Sequence, residues 1–407
     1  VLCAVLRARK LPSRGEPVRR PSLLEGECRD LCVRPKIYQY PMCENDNYLF
    51  DLEDNETRRF IASLETFGRG YTIYHRWICA FVCSFGILLN CLHIIVLTRN
   101  PMRVYIINNI LSVIAVCDVT TMASYLIYLI KFKFLENDDV IGHSYFWLVF
   151  LLAHVVSSIA LHTVSLYLSV IMAFIRWNAL DRLDSKWVKS RSIGSIFCFT
   201  LLFVMLISIS NLAVHDIVPT KEIFAHLMVN GSTYALDDLY TVSLRSLALD
   251  NDCVIFKSQL WLTGIFFKVI PCMLLLWFTV ALMIKLYEMS RKRRLLRRDD
   301  TRKKNAVDKT TVMLIIMLTV FLFTELPQGA IAILNAIYTT DVHVNVYLHI
   351  GEILDLLSLV NCNVGFVLYC CMSSRYRHTF RSLFLTRLEK TKAGRKDVIS
   401  AFHNLIS

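Results

Sequence analysis

Hydrophobic positions fall into seven long blocks, at about 77–98, 105–130, 145–175, 192–214, 259–286, 311–338 and 346–371. A bilayer's hydrocarbon core is about 30 Å thick and takes roughly 20 apolar helical residues to cross. Each block reaches that length. Backbone groups in lipid must be satisfied within the segment, which rules out open sheet. The pattern therefore predicts an all-α membrane protein, a bundle of seven transmembrane helices.

The polar stretches between the blocks set the remaining organisation. Residues 1 to about 70, with prolines at 12, 17, 21, 35 and 41, read as an exposed, irregular tail. In the long 215–258 connection, the alternation in "STYALDDLYTV" predicts a hairpin. After the last block, "MSSRYRHTFRSLF" places Tyr376, Phe380 and Phe384 one turn apart with arginines between them, which predicts a short amphipathic helix on the inner membrane face. The resulting division is a tail over 1–74, a seven-span domain over 75–372, the surface helix over 373–387 and a second tail over 388–407.

Polar residues inside the blocks carry most of the functional information, because they are costly in lipid and face the bundle interior. In span three His154, Ser158, His162, Ser165, Ser169 and Arg176 recur at helical spacing and form one stripe. Span one contributes Asn90 and His93, and span two Asn108, Ser112 and Asp118. Span seven contributes Glu352, Asp355, Ser358, Asn361 and Tyr369. Span six, within "VFLFTELPQGAI", holds Phe321, Glu325 and Gln328, with Pro327 removing a backbone hydrogen bond and kinking the helix. A polar, water-filled core follows. It suits a receptor, and it also suits a transporter or channel, although no internal repeat or pair of broken helices is evident. An enzyme finds no support: His154 and His162 are eight residues apart, and no nucleophile motif stands out. No cofactor is called for.

Of the 407 residues 55% are hydrophobic and 19% charged, with a net charge of +12. That charge is not a nucleic-acid signature, because the basic residues flank helix ends. The 285–309 connection carries eleven of the 45 lysines and arginines, whereas 131–144 carries Lys131 and Lys133 alone. The positive-inside rule then puts 285–309 in the cytoplasm, the N-terminus outside and the C-terminus inside a multi-pass plasma-membrane protein. Anionic inner-leaflet lipid is a sufficient partner for the rest of the charge. Two glycosylation sequons, at Asn55 and Asn230, fall on the outer side of that topology.

Of fourteen cysteines, Cys79, Cys83, Cys91, Cys117, Cys198, Cys272 and Cys362 lie within spans, where a thiol behaves as a small hydrophobe. Cys28, Cys32, Cys43 and Cys253 face the oxidising side and allow two disulfides in three pairings. The opening "VLCAVLRARK" starts with Val and is too short and too basic for a clean signal peptide, which leaves the start of the chain open.

Asn90, "LSVIAVCD" ending at Asp118, Arg176, Pro271, Pro327 and "NCNVGFVLYC", in this order, resemble the rhodopsin-like G-protein-coupled receptors. More narrowly, "TRNPMR", "AVCDVTTMASYLIYLIKF", "SIALHTVSLYLSVIMAFIRW", "FTELPQG" and "FVLYCCMSSRYRHTF" are similar to invertebrate FMRFamide-type and myosuppressin-like peptide receptors, including the nematode Srw class. The likeness covers about 75–385.

The resemblance implies a neuropeptide receptor acting through a heterotrimeric G protein. Activation and coupling would run through Asn90, Asp118, Ser165, Arg176, Pro271, Phe321, Pro327, Asn361 and Tyr369. The chain also departs from its relatives. Ile175 replaces the acid that normally restrains Arg176, whose alternative role is to snorkel to the interface. Gly365 opens a motif in which Tyr369 alone is retained. Asp118, Ser165 and Asn361 match three positions that hold sodium in relatives, and a satisfied polar cluster without metal is the competing reading. Relatives also join outer span three to the following loop by a disulfide. Cys253 matches the loop partner, but span three offers no cysteine, so Cys253 pairs with Cys28, Cys32 or Cys43 or stays free.

Amine receptors of this superfamily carry an acid where this chain has Ser157 and Ser158, and opsins carry a lysine in span seven, which this chain lacks. A peptide is the implied ligand. For one ending in Arg-Phe-amide, the arginine needs a carboxylate and the ring an apolar slot. Glu352 and Asp355 are candidates for the first, as are Asp237, Asp238, Asp250 and Asp252, which could equally be solvated loop charges. Tyr125, Tyr128, Phe266 and Phe267 are candidate walls, and His154, Ser158, His162, Glu325 and Gln328 complete the ligand-facing set. Glu325 stands where most relatives have a tryptophan that moves on activation, and family geometry sets His162 opposite it. Cys370 and Cys371 are open to palmitoylation or simple packing.

Overall fold

A computed structural model describes residues 47–135, 142–179, 193–220, 239–296 and 306–383. Among these residues, seven helices are long and apolar enough to cross a membrane. The first, α1 (Asn55–Leu97), is capped by Asp54, whose carboxylate accepts from Thr57 N and Thr57 Oγ1, both at 2.9 Å. These bonds hold that carboxyl below its usual range. Helix thus begins at Asn55, and the expectation of an irregular tail through residue 70 is corrected. Residues 55–76 are polar enough to look like loop, but a solvated helix continuing a membrane span needs no apolar run.

The second span is α2 (Ile106–Tyr128), followed by a π-helical turn, Leu129–Leu135, and then α3 (Tyr145–Ala179) and α4 (Ile193–Val214). Strand β1 (His215–Pro219) pairs antiparallel with β2 (Tyr240–Leu244), with His215 opposite Leu244. The expected alternation does supply β2, but its partner lies upstream of the alternating stretch. His143 extends the sheet, exchanging backbone bonds with Tyr240 at 2.9 and 2.8 Å.

The fifth span, α5, runs through Ser246–Thr263, a π-helical turn Gly264–Val269, and Ile270–Leu296. Pro271 has no N–H to give the preceding turn, and the π turn lies immediately before it. Next come α6 (Ala306–Ile337), with Pro327 inside it, and a connection made of Thr339–Val342 and the π-helical His343–Tyr347. The last span is α7 (Leu348–Met372). After a break at Ser373, residues 374–383 form a last helix, α8.

Burial is arranged for lipid as solvent. Phe81, Phe199, Leu206, Trp277 and Phe323 point outward, while Ile110, Val164, Leu168, Met172, Leu275 and Leu318 fill the centre. The apolar window of α3 is 67% buried against 22% for α4, so α3 is the central post and α4 a peripheral one. The polar stripe of α3 therefore faces neighbours on several sides.

The apolar face of α8 meets the bundle at Tyr376, which is fully buried, its hydroxyl 3.0 Å from His93 Nδ1 and its ring edge-on to Tyr369. Spacing of one turn identifies an apolar face, but whether lipid or protein covers it depends on where the bundle stands. Arg375 anchors the outside of α8 by donating to the Tyr105 hydroxyl.

Candidate functional site

The centre of the bundle is an ionic network across four spans. Glu325 of α6 is fully buried, and its Oε1 is 2.8 Å from His162 Nε2 on α3 and 3.2 Å from Asn361 Nδ2 on α7. Its Oε2 accepts from Lys268 Nζ, on the π-helical turn of α5, at 2.9 Å. Lys268 also donates to Gln328 Oε1 at 2.7 Å, and Gln328 Nε2 donates to Ser358 Oγ at 2.8 Å. With the ammonium supplying the countercharge, a neutral imidazole donating from Nε2 is enough to complete the His162 contact.

The His162–Glu325 pair was legible in the sequence; Lys268 was missed. Its signal was a single lysine within "GIFFKVIPCM", an ionisable group in an apolar span, which deserves a partner on that ground alone.

Towards the end of the bundle that carries residue 47, α1, α2 and α3 bring together a cluster of aromatic and histidine side chains. Tyr128 stacks on His154 at 5.5 Å between ring centres, Phe150 stacks on the same imidazole at 6.0 Å, and Tyr125 packs beside Tyr128. His154 Nδ1 is 3.0 Å from Ser124 Oγ and 3.2 Å from Ser158 Oγ. Tyr125 is itself buried, its hydroxyl 3.0 Å from His75 Nε2.

The two span-seven carboxylates differ. Glu352 pairs with Lys133 at 3.3 Å through Oε1, leaving a buried Oε2 without a partner. Asp355 is exposed and sits in the electrostatic field shared by Glu352, Lys268 and Lys133. Among the described residues Asp355 makes no hydrogen bond or ion pair. It is the carboxylate free to take a cation.

Phe266 and Phe267 stand elsewhere. Phe267 is buried in the core, and Phe266 packs on Phe203 of α4 while its carbonyl accepts from Tyr167 Oη at 2.6 Å. They brace α5 against α3 and α4, away from the aromatic cluster. Of the loop acids Asp250 is exposed at the start of α5, Asp237 and Asp238 lie outside the described residues, and so do Cys28, Cys32, Cys43 and Asn230. Cys253 is disulfide-bonded, whereas Cys370 and Cys371 are free. Asn55 is exposed on the first turn of α1.

Towards the opposite end, Asn90 Nδ2 donates to Gly86 O and Cys362 O, both at 3.0 Å, tying α1 to α7. Phe321 and Pro271 are buried. Asp118 is buried beside Ser165 and Cys362. Among the described residues, the buried Ser165 Oγ and Asn361 Oδ1 have no hydrogen-bond partner. Oxygens of this kind fit a hard cation or water, so the donor set is compatible with sodium. Arg176 is partly buried with Tyr369 of α7 near it, which puts it on the bundle's inner face and not out in the interface.

Comparison with known proteins accords with this arrangement. The profile of the serpentine type seven-transmembrane G-protein-coupled chemoreceptor Srw matches residues 77–387. The G-protein coupled receptor dmsr-1 of Caenorhabditis elegans is 30% identical over 357 residues, covering 77% of this chain and 69% of its own. The sex peptide receptor of Drosophila melanogaster is 29% identical over 138 residues, 31% of each chain. A profile spanning most of the seven helices, and a relative matched along most of its length, show that the chain belongs to the Srw family of seven-transmembrane G-protein-coupled receptors.

Proposed function

We propose that this protein is a plasma-membrane receptor for an extracellular amidated peptide of the Arg-Phe type, and that it signals through a heterotrimeric G protein. The observation that carries the reading is Asp355: an exposed carboxylate that makes no hydrogen bond or ion pair among the described residues, close enough to the Tyr125 and Tyr128 rings to act on them electrostatically. A peptide arginine finds its countercharge there, and the neighbouring ring finds an aromatic wall. The name of the sex peptide receptor gives a peptide as that protein's ligand, which supports the same class here.

In this reading the N-terminus is outside, as the basic 285–309 connection argues. Ligand at Asp355 biases α6 and α7 through Gln328, Ser358 and Glu325, and the transducer meets Arg176 and Tyr369 at the inner end. Coupling between the two ends is reciprocal: the G protein raises peptide affinity by the factor by which the peptide favours the G protein. The test is expression in cells lacking endogenous peptide receptors, with a library of amidated peptides and a G-protein activation readout. Response to Arg-Phe-amide peptides is expected, and silence to all of them at confirmed surface expression would remove the subclass.

A further inference from the structure

At the end of the bundle opposite residue 47, Lys285 of α5 reaches across to the last turn of α3. Its Nζ stands over the Trp177 ring, 4.8 Å from the ring centre, and donates to Trp177 O at 3.2 Å. One ammonium thus engages both the indole face and the backbone carbonyl of the same residue. Trp177 lies within four residues of the end of α3 at Ala179, where carbonyls run out of helical amides to accept from. The helix end carries partial negative charge and the indole face a negative quadrupole, so both attract a cation. Both attractions are lost if position 285 loses its charge.

Aromatic packing sets the ring in place for this contact. Phe278, about two turns earlier on α5, meets Phe174 edge-on at 5.7 Å between ring centres and Trp177 at 6.2 Å. Phe174 and Trp177 are themselves neighbours on α3, with centres 6.4 Å apart. The seam between α3 and α5 is therefore apolar at Phe278 and closed by a charge at Lys285. The residue beside Trp177 gives that closure its consequence. Arg176 is partly buried, with Tyr369 of α7 near it, and its buried Nε has no hydrogen-bond partner among the described residues. Where the α3 backbone stands at 176–177 decides where that guanidinium points, and Lys285 holds the backbone there.

We propose that Lys285 is a positioning residue for G-protein coupling: seated on Trp177, it keeps α5 against the last turn of α3 and Arg176 turned into the bundle, and its release frees Arg176 for the transducer. The contact restrains the receptor in the state described, so weakening it shifts the population towards the coupled state without any ligand. The proposal rests on the reading that Arg176 and Tyr369 meet a G protein, and it is independent of which ligand binds.

Three variants of the full chain test it. Lys285→Met keeps an apolar stem and removes the charge, Lys285→Arg keeps the charge and its donors, and Trp177→Leu removes the ring but leaves the carbonyl. With no ligand added and at matched surface expression, Lys285→Met should raise basal G-protein activation by about threefold to tenfold, the factor expected when a cation–π contact and a helix-end interaction are lost together. Lys285→Arg should stay within about twofold of the parent, since arginine also stacks on an indole. Trp177→Leu should fall between them. Hydrogen exchange on the purified receptors follows the contact itself: amides of the last turn of α3, and of α5 from Phe278 to Lys285, should exchange faster in Lys285→Met than in the parent or Lys285→Arg. Unaltered exchange in Lys285→Met would overturn the proposal, because the contact would then hold nothing. Faster exchange with unchanged or lower basal activation would also overturn it, and would leave Lys285 a structural stitch or a direct contact of the G protein. Faster exchange with no G-protein activation by the parent or any variant would instead overturn the coupling reading, and the proposal with it.

Discussion

The Lys268 ammonium meets the Glu325 carboxylate at 2.9 Å in the middle of the bundle, joining the π-helical turn of α5 to α6 two residues before Pro327. The side chains are 17% and 0% exposed, so solvent reaches the ammonium only in part and the carboxylate not at all. Pro327 leaves the helix without one backbone bond, and the ion pair fixes a neighbouring turn to α5 and, through His162, to α3. Any swing of the inner end of α6 must take place around this pinned point or break it.

Breaking one side of such a pair leaves an uncompensated buried charge, which costs about 3–5 kcal/mol, whereas replacing both partners by apolar groups of similar size is often neutral. Lys268→Met or Glu325→Leu alone should therefore lower the thermal unfolding temperature of the detergent-purified receptor substantially. The double variant should recover most of the loss. Losses that simply add in the double variant would show that the two side chains are not coupled.

Asp355 and Glu352 lie on one face of α7 but are in different states, and that difference predicts unequal effects. Asp355→Asn should lower the potency of an Arg-Phe-amide peptide by about 10- to 100-fold, the equivalent of about 1.5–3 kcal/mol for a charge-assisted bond. Glu352→Gln should cost less, because Glu352 is already engaged by Lys133 at 3.3 Å. Concentration–response curves at matched surface expression decide the order. A larger effect at Glu352 would move the ligand's cation to the other carboxylate.

Two glycines of α1, two residues apart, give opposite predictions. Gly68→Ala puts a β-carbon 2.9 Å from the His349 carbonyl and should reduce surface expression, since backbone on both sides must move. Gly70→Ala meets nothing and should raise thermal stability by up to about 1 kcal/mol through helix propensity alone. Surface staining and thermal unfolding of the pair test whether α1 is clamped to α7 along this face.

What the sequence carried and what it withheld divide along physical lines. Seven spans and the stripe on α3 were legible because apolar length and polar interruptions are local signals, whereas the His162–Glu325 contact followed from the family resemblance, which sets their spans opposite one another. Lys268 was passed over because α5 has no periodic polar stripe, and an isolated lysine in "GIFFKVIPCM" declares its partner only when α5 and α6 are set side by side. Phe266 and Phe267 looked like cavity walls by type, yet the rotation of α5 turns one into the core and the other onto α4. The start of α1 at Asn55 was hidden because a solvated helix shows no apolar run. The Asp54–Thr57 cap was present in the sequence, as an acid three residues before a threonine at the head of the helix.

Tyr376 gives the sharpest test at the end of the bundle away from residue 47. It is fully buried, its hydroxyl is the partner of His93 Nδ1, and His93 Nε2 already has none. Tyr376→Phe keeps the ring against Tyr369 and Phe366 but leaves the buried imidazole with no partner, at a cost of about 1–3 kcal/mol. Tyr376→Ala also empties the ring's volume, and for aromatic-to-alanine changes that costs about 3–5 kcal/mol. Because Tyr369 stands between this contact and Arg176, loosening α8 should reach Arg176 before it reaches Asp355. Maximal G-protein activation should fall in the order parent, Tyr376→Phe, Tyr376→Ala, while peptide affinity measured without G protein stays within about twofold, the limit expected when no ligand contact changes. Equal activation by all three would mean that α8 is a passive cap, and a parallel loss of peptide affinity would mean that the damage spreads through α7 to Asp355.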